Sequence, residues 1–303
     1  MRHQKGMNQA PEIICIGAVH WDVIGHATGP MLPGADVPGR ITRQPGGVAL
    51  NIALALARQR VAVALLGAVG RDRLGDALVA EITARGVDPR YLFRPEDLPT
   101  DSYMAIEDSS GLIAAIADSH TMEAAGLRLL ESLSDGLLGA ADTPFRGMIA
   151  LDGGLTEVQL DTLVSAPTLA QADLRVVPAS SGKALRLAPF FRRAGTCFYV
   201  NLEEAGLLCG EAFADSPSAA LGMLARGAGR VLVTDSARAV TDADAKGLII
   251  RTPRRVQAQR VTGAGDSFMA AHMAAELRGA SRSDALECAL EVAAAHVASA
   301  PAR

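Results

Sequence analysis

This 303-residue chain lacks several features that mark common functional classes. Its 29 lysines and arginines are scattered in ones and twos and its formal net charge is −4, whereas a nucleic-acid-binding surface needs a basic stripe. Its four cysteines, Cys15, Cys197, Cys209 and Cys288, form no CxxC pair, so we expect reduced thiols rather than disulfides or a zinc site. The composition therefore predicts no nucleic-acid partner.

Membrane and export signals are missing as well. No uncharged apolar run approaches the roughly 18 residues of a membrane span. Behind the basic opening residues, Glu12 and Asp22 come too early for the apolar core of a signal peptide. These absences predict a cytoplasmic protein with no membrane partner.

Two familiar phosphate-binding motifs are also absent. The chain has no GxxxxGK[ST] loop and no GxGxxG sequence after a predicted strand. The first absence argues against a P-loop kinase, and the second disfavours an NAD-dependent enzyme on a doubly wound sheet.

Short β-branched runs alternate with longer segments of helical periodicity, which is typical of a parallel α/β sheet. The predicted strands are 12–19, 61–69, 147–154, 174–180, 196–200 and 230–235, and the predicted helices are 46–60, 73–87, 266–278 and 283–298. Gly86 is placed to end the second helix.

Residues 101–118 break this alternation of strands and helices, because they hold two strand-like runs joined by DSSG. Such a hairpin is compatible with a sheet edge or with a lid.

The sequence VTGAGDSF, residues 261–268, has the composition of a catalytic loop. Gly263 and Gly265 leave backbone N–H groups open to an anion, and the helix that follows adds the partial positive charge of its N-terminus. Asp266 stands at the start of that helix, where it can accept a proton from a nearby hydroxyl. An anion cradle beside a base suits phosphoryl transfer to an alcohol. An ordinary helix N-cap after a glycine-rich turn explains the same aspartate.

Together with GGVALNIALALARQRVAVALLGAVGRDRLGDAL, residues 46–78, this loop resembles the two signatures of the PfkB family of carbohydrate and nucleoside kinases, also called the ribokinase family. The resemblance extends from Ile13 onward. It implies a ribokinase-like three-layer α/β/α domain at 12–303, with a small β-strand lid drawn from about 34–45 and 100–119 and a disordered extension at 1–11. It also implies phosphorylation of a hydroxyl of a small-molecule nucleoside or sugar, with ATP and Mg²⁺ as cofactors.

The resemblance assigns roles to individual residues. Asp266 matches the catalytic base of the family. Gly263, Ala264 and Gly265 match the family's anion hole, which also contacts the nucleotide. The sugar-contacting positions match Asp22, Gly46, Gly47 and Asn51. A carboxylate at position 22 accepts from two hydroxyls at once, although a turn residue at a strand end explains it too.

Nucleotide and metal positions follow from the same resemblance. In NLEEAG, Asn201 and Glu204 match a motif that organises the magnesium–phosphate group through water, while a helix N-cap with a first-turn acid explains the same pair. Thr234, Ser180 and Lys183 match segments that face the nucleotide. A potassium requirement, which some members of the family show, is left open.

Within the family the chain is most similar to pseudouridine kinases, through QPGGVALNIA, PASSGK, VTGAGD and the hairpin at 101–118. This likeness implies transfer of the ATP γ-phosphate to the 5′-hydroxyl of pseudouridine. Another nucleoside or a ribose-like sugar is the alternative acceptor. A homodimer through the lid is expected, because an exposed hairpin edge seeks a partner.

Several positions depart from the family pattern. In VTDSARAV, Asp235 and either Ala239 or one of its neighbours replace glycines that admit the nucleotide in the family. An acid there opposes ATP binding unless Arg238 or the metal neutralises it. His20 replaces a common asparagine. These departures support a second hypothesis, a non-catalytic relative that binds a nucleoside or sugar as a sensor. The intact loop ending in Asp266 favours the enzyme.

Overall fold

The computed structural model describes residues 10–299 except residues 33 and 35, so most of the extension expected at 1–11 lies outside the described residues. Within them the chain forms an eight-stranded sheet and a separate four-stranded sheet. The strands are β1 (Ile13–Ile16), β2 (His20–Ala27), β3 (Gly39–Gly46), β4 (Val63–Leu66), β5 (Ser102–Asp108), β6 (Gly111–Asp118), β7 (Met148–Asp152), β8 (Asp173–Val177), β9 (Cys197–Asn201), β10 (Arg230–Thr234), β11 (Val240–Asp244) and β12 (Gly247–Arg251).

Helices cover both faces of the larger sheet. The α-helices are α1 (Val48–Arg58), α2 (Arg73–Ala84), α3 (His120–Ala125), α4 (Glu157–Val164), α5 (Leu202–Cys209), α6 (Ser216–Ala225), α7 (Ala264–Leu277) and α8 (Arg282–Ala298). Short 3₁₀ helices lie at Pro89–Tyr91, Gly126–Leu133, Pro167–Leu169 and Ser181–Arg192.

The larger sheet has the order β12-β11-β10-β9-β8-β7-β1-β4. The strands from β4 to β10 in this order are parallel, and β11 and β12 add an antiparallel edge. Successive residues of β1 point to opposite faces: Ile13 and Cys15 pack with α1, α2, α7 and α8, while Ile14 and Ile16 pack with α3 to α6. Two cores on one sheet confirm the expected three-layer α/β/α architecture.

The first strand is shorter than predicted. The apolar run continues to Val19, but β1 ends at Ile16 because the chain turns at Gly17, whose φ is 146°. A Cβ on Gly17 would lie 2.1 Å from the carboxyl carbon of Asp152. The prediction of a strand over 12–19 is therefore wrong after Ile16.

The smaller sheet has the order β3-β2-β5-β6. The hairpin predicted at 101–118 is present as β5 and β6. No pattern predicted β2, which pairs in parallel with β5, because its partly covered residues show no regular alternation of buried and exposed positions. The indole Nε1 of Trp21 donates to Leu74 O at 2.9 Å and so connects this sheet to α2.

The cysteines are free, as predicted, and three of them are buried. Burial raises the pKa of the Cys15 and Cys197 thiols, so both stay protonated at neutral pH. Among the described residues, no helix combines the length and apolar character that crossing a bilayer requires.

Candidate active site

The carboxyl ends of the parallel strands meet the N-termini of several helices at one edge of the larger sheet. Asp152 ends β7, Asn201 ends β9 and Thr234 ends β10. Ligands of open α/β sheets bind outside this edge. The predicted site residues Asn201 and Thr234 therefore lie at the edge where ligands of such sheets bind.

Asp266 lies in the first turn of α7. The N-cap of that helix is Gly263, which has a left-handed conformation with φ 82° and no side chain to offer, so the N-cap alternative for Asp266 is wrong. The Oδ2 atom of Asp266 instead accepts a hydrogen bond of 2.8 Å from Asn51 Nδ2. The fold thus joins the predicted base to a predicted sugar-contacting residue.

Backbone amides at the start of α7 are the second component of the site. The helical ladder opens with a hydrogen bond of 3.0 Å from Ser267 N–H to Gly263 O, so the Gly265 amide precedes it. A Cβ on Gly265 would meet no atom within 4 Å apart from its own helix backbone and chain neighbours, so open space lies on that side of the residue. Ala264 N–H donates to Val261 O at 3.1 Å, so the loop uses this amide in the present conformation, and the part of Ala264 in the anion hole stays a prediction.

Burial raises the pKa of Asp266 to about 7, because protein atoms replace most of its water although the residue keeps some exposure. The hydrogen bond from Asn51 opposes this rise, and the negative charges of Asp152, Asp22 and Glu204 add to it. A carboxylate whose pKa lies near neutrality is a better proton acceptor than an ordinary one.

The pH dependence of turnover follows from this pKa. Only the ionised Asp266 accepts a proton, so we expect kcat/KM to rise about tenfold per pH unit below pH 7 and to level off above it. Initial rates at low acceptor concentration, in buffers of matched ionic strength, measure the profile. A flat profile between about pH 5 and pH 8 would contradict a titrating base at this position.

Asp152 is a central residue that the sequence patterns did not single out. Its buried carboxylate accepts hydrogen bonds from the amides of Ala18 and Ala49 through Oδ2 and from Gly154 through Oδ1, at 2.8, 3.0 and 2.8 Å. It thereby fixes the turn after β1 and the N-terminus of α1. The usable signal was a carboxylate that ends a buried strand just before two glycines.

The predicted substrate group has internal contacts of its own. Asp22, on β2, is buried, and its Oδ1 lies 3.2 Å from His20 Nδ1. A Cβ on Gly46 would lie 2.1 Å from an Asp22 oxygen, and one on Gly47 would lie 2.2 Å from Ala18 O. These contacts explain both glycines without a ligand, so their sugar contacts stay predictions.

The predicted metal pair forms a capping box at the start of α5. Asn201 Oδ1 accepts from Glu204 N–H at 2.8 Å, and Glu204 Oε2 accepts from Asn201 N–H at 2.9 Å, which confirms the helix-cap interpretation. Burial raises the pKa of Glu204. The described residues hold no group of three or more His, Cys, Asp or Glu suited to a metal ion. One carboxylate and one amide, both partly used, fit only an ion bound mainly by water and phosphate.

A cleft of about 800 Å³ lies beside this capping box. Thr234 and Asn201 both line it, whereas Ser180 and Lys183 are absent from its lining. Ser180 instead precedes a 3₁₀ helix, and its carbonyl accepts from Lys183 N–H at 2.9 Å. The structure therefore groups the first pair of predicted residues but leaves the second pair outside this cleft.

The unusual acid in this cleft has a partner. Arg238 Nη2 donates to Asp235 Oδ1 at 2.9 Å, and Arg238 N–H donates to Asp235 O at 2.8 Å. Asp235 lines the cleft beside Thr234. The neutralisation that a phosphate-bearing ligand requires there is therefore available within the chain.

His296, near the end of α8, contacts the glycine-rich loop and was not predicted. Its Nε2 donates to Thr262 O at 2.8 Å, and its Nδ1 lies 3.1 Å from Ser267 Oγ. The ring would lie 3.4 Å from a Cβ on Gly263. The last turn of α8 thus fixes both sides of the loop.

We expect His296→Ala to lower kcat by about tenfold to a hundredfold, because small displacements of a catalytic loop are costly. His296→Gln should restore part of the loss, since an amide can still donate to Thr262 O. Steady-state kinetics and thermal unfolding measure both variants, with Glu291→Gln, at an exposed position of the same helix, as the control. An unchanged kcat in His296→Ala would contradict a positioning role.

Known proteins resemble this chain over most of its length. The model of the family described as pfkB family carbohydrate kinase matches residues 10–303. The chain is 28% identical over 288 residues to Uncharacterized sugar kinase YeiI of Escherichia coli (strain K12), which covers 93% of this chain and 76% of that protein. It is 27% identical over 271 residues to the pseudouridine kinase of the same organism, with coverage of 87% and 83%.

A solved structure agrees with the fold. The Arabidopsis thaliana ribokinase, complexed with ribose and ATP, has a TM-score of 0.77 at 18% identity, covering 97% of this chain and 95% of that one. The expected ribokinase-like fold is thereby confirmed. Because the family model spans the chain from residue 10 onward, the protein belongs to the pfkB family of carbohydrate kinases, phosphotransferases that act on a hydroxyl group.

Proposed function

We propose that the protein transfers the γ-phosphate of ATP to the 5′-hydroxyl of pseudouridine, with Asp266 as the general base. The observation that carries this proposal is the hydrogen bond that holds Asp266 to Asn51, next to the open space at Gly265. Support for ATP comes from the ribokinase complexed with ATP, and support for pseudouridine from the pseudouridine kinase matched over most of both chains.

Each residue of the site has a distinct task in this reaction. Asp22 and Asn51 hold hydroxyls of the acceptor. Asp266 takes the proton of the reacting hydroxyl as its oxygen bonds to the γ-phosphorus, while the bond from that phosphorus to the bridging oxygen breaks and ADP leaves. The Gly265 amide donates to an oxygen of the transferred group, where negative charge develops. When bound, Mg²⁺ neutralises phosphate charge, and Asn201 and Glu204 would hold it through water.

Turnover with a panel of acceptors tests the proposal. ATP–Mg²⁺ is combined with pseudouridine, uridine, adenosine and ribose, in potassium and in sodium buffers, and ADP release is followed by a coupled assay. We expect pseudouridine to give the highest kcat/KM, and phosphate at its 5′ position in the product. A higher kcat/KM for another nucleoside or for ribose would show that this compound, and not pseudouridine, is the acceptor. The proposed phosphoryl transfer would still stand.

The alternative of a non-catalytic sensor predicts a different result. It rests on the atypical stretch from Thr234 to Ala239, where the Asp235 carboxylate would repel the phosphates of ATP. The hydrogen bond from Arg238 to Asp235 offsets this repulsion. Calorimetric titration with the same four compounds separates the two functions. Tight binding of one compound with no ADP release would favour the sensor and contradict the kinase.

The smaller sheet supports a proposal of homodimerisation. Its edge strand β6 exposes all eight residues, and Ile116 is 69% exposed. Edge strands with apolar side chains are templates for association. Two copies pairing through β6 would cover this surface.

If β6 forms the dimer interface, Ile116→Asp should raise the dimer dissociation constant at least about tenfold, because it places a charge in an apolar contact. Light scattering after size-exclusion chromatography, over a dilution series, measures the change. Val158→Asp, on the exposed face of α4, is the matched control. A wild-type monomer, or an Ile116→Asp dimer of unchanged affinity, would exclude this interface.

We also propose that the enzyme acts in the cytoplasm. Its cysteines are free, and burial keeps the thiols of Cys15 and Cys197 protonated. A reducing compartment that supplies ATP suits both properties. Fractionation of cells that produce the protein, followed by immunodetection, tests the location.

A further inference from the structure

A groove of about 690 Å³ lies beside α1. Leu54 and Ala55 of α1 belong to its lining, and the other walls come from β3, the second half of α2, the loop before α7 and the end of α8. Four arginines from four of these segments also line the groove: Arg43, Arg58, Arg85 and Arg260. Its size is that of a site for a small metabolite.

The positive charge of this groove is largely uncompensated. Glu81 is the one carboxylate in the lining, and it pairs with Arg85. In the described part of the chain, Arg58 and Arg260 form no ion pair. Burial lowers the pKa of Arg58, and the charges of Arg260 and Arg85 lower it further. The chain as a whole carries a net charge of −4, so this groove opposes the overall sign.

The groove also reaches the catalytic centre. Asn51, which donates to Asp266, and Gly263, which lies three residues before Asp266, both line the groove. Arg58 follows Asn51 by seven residues, which is about two helical turns or roughly 10 Å. A molecule of sugar-phosphate size can therefore contact Asn51 and Arg58 together.

We propose that this groove binds the phosphate or carboxylate group of a small metabolite, with Arg58 and Arg260 as its main ligands. Guanidinium groups bind such planar or tetrahedral anions through paired N–H donors. The anion belongs either to the acceptor itself or to a separate regulator that contacts Asn51. Only the distinction between these sources depends on the proposed kinase function.

Binding without turnover tests the site. Ribose 5-phosphate and ribose, which differ by one phosphate, are titrated calorimetrically into the full chain and into its Arg58→Gln, Arg260→Gln and double variants. We expect ribose 5-phosphate to bind more tightly than ribose, each single variant to weaken its binding about tenfold, and the double variant about a hundredfold. Arg73→Gln, which removes an exposed charge of α2 outside the groove, should bind like the wild type.

Two results would overturn the proposal. One is equal affinity for ribose and ribose 5-phosphate, and the other is unchanged affinity for ribose 5-phosphate in the double variant. Thermal unfolding checks that each variant is folded, and Arg58→Gln alone decides the question if a change at Arg260 disturbs the loop. The catalytically impaired Asp266→Asn protein should still bind, so failure of the groove and failure of the kinase mechanism are distinguishable.

Kinetic measurements then distinguish the two sources of the anion. If the anion belongs to the acceptor, Arg58→Gln should raise KM for a phosphate-bearing acceptor about tenfold relative to its neutral counterpart. If it belongs to a regulator, ribose 5-phosphate should change the wild-type rate with a neutral acceptor, and Arg58→Gln should shift the half-effective concentration about tenfold upward. Either outcome supports an anion site in the groove.

Discussion

Asp266→Asn is expected to lower kcat by about 10³-fold or more, the largest loss that the structure predicts. The substitution keeps the size of the side chain and leaves an oxygen to accept from Asn51 Nδ2. It removes the charge that accepts the proton of the acceptor hydroxyl. Steady-state and single-turnover rates with ATP–Mg²⁺ measure the loss, and near-normal turnover would exclude Asp266 as the base.

The same variant should not be less stable than the wild type. Folding raises the pKa of Asp266 from 3.8 to about 7, so the folded state holds a proton that the unfolded chain has released between these values. The stability that this protonation contributes is full below about pH 4 and is lost as the pH rises to 7. We therefore expect Asp266→Asn to unfold at an equal or higher temperature at pH 8, and to flatten the dependence of stability on pH between about 4 and 7.

The Asp152→Asn variant serves as the control, because we expect it to be less stable than the wild type. In Asp152→Asn one oxygen becomes an amide donor that faces the N–H groups of Ala18 and Ala49 or of Gly154. A buried amide left without its acceptor costs about 1–3 kcal/mol. Asp152→Asn should therefore lose stability as well as activity. Equal stabilities of the two variants would contradict the different tasks assigned to these carboxylates.

Gly265→Val is expected to lower kcat/KM by about 10²-fold or more. A Cβ there meets no atom within 4 Å apart from its own helix backbone and chain neighbours, so the valine side chain would fill the open space in which we expect the phosphoryl group to bind. Loss of one donor to developing charge costs about 10²–10³ in rate in comparable sites. Valine is no worse in a helix than glycine, so the variant should remain folded.

Gly263→Ala separates this effect from backbone strain. Gly263 has a φ of 82°, a conformation that alanine adopts only at a cost, and its added Cβ would lie 3.4 Å from the His296 ring. We therefore expect Gly263→Ala to reduce the unfolding temperature, and Gly265→Val to reduce activity at unchanged unfolding temperature. A Gly265→Val enzyme with wild-type kcat/KM would show that the amide is not at the reacting group.

Much of the larger sheet could be predicted because its signals are local. The strands from β7 to β10 coincide with short apolar runs that are buried on both faces, and α7 follows directly on its glycine-rich loop. The end of β1 could not be predicted this way, because the turn at Gly17 and Ala18 contacts the carboxylate of Asp152, which is far along the chain. Strand β2 escaped prediction because its partners in the smaller sheet, and not its own alternation, determine it.

In the candidate site, too, contacts between residues far apart in the sequence could not be predicted. Asp266 and Asn51 could be proposed from motifs, but their hydrogen bond joins residues 215 positions apart and depends on the packing of α1 against α7. His296 carries no motif, and its contact with Thr262 exists only because α8 ends beside the loop. Motifs therefore identified chemical groups, while their positioning came from tertiary packing.

A structure with an ATP analogue, Mg²⁺ and the acceptor tests the central claim most directly. The reacting hydroxyl oxygen should lie about 2.6–3.2 Å from an Asp266 carboxylate oxygen, with the γ-phosphate beside the Gly265 amide. A hydroxyl bound beyond the reach of Asp266, or an Asp266 carboxylate that faces only Asn51 in the complex, would contradict the proposed mechanism.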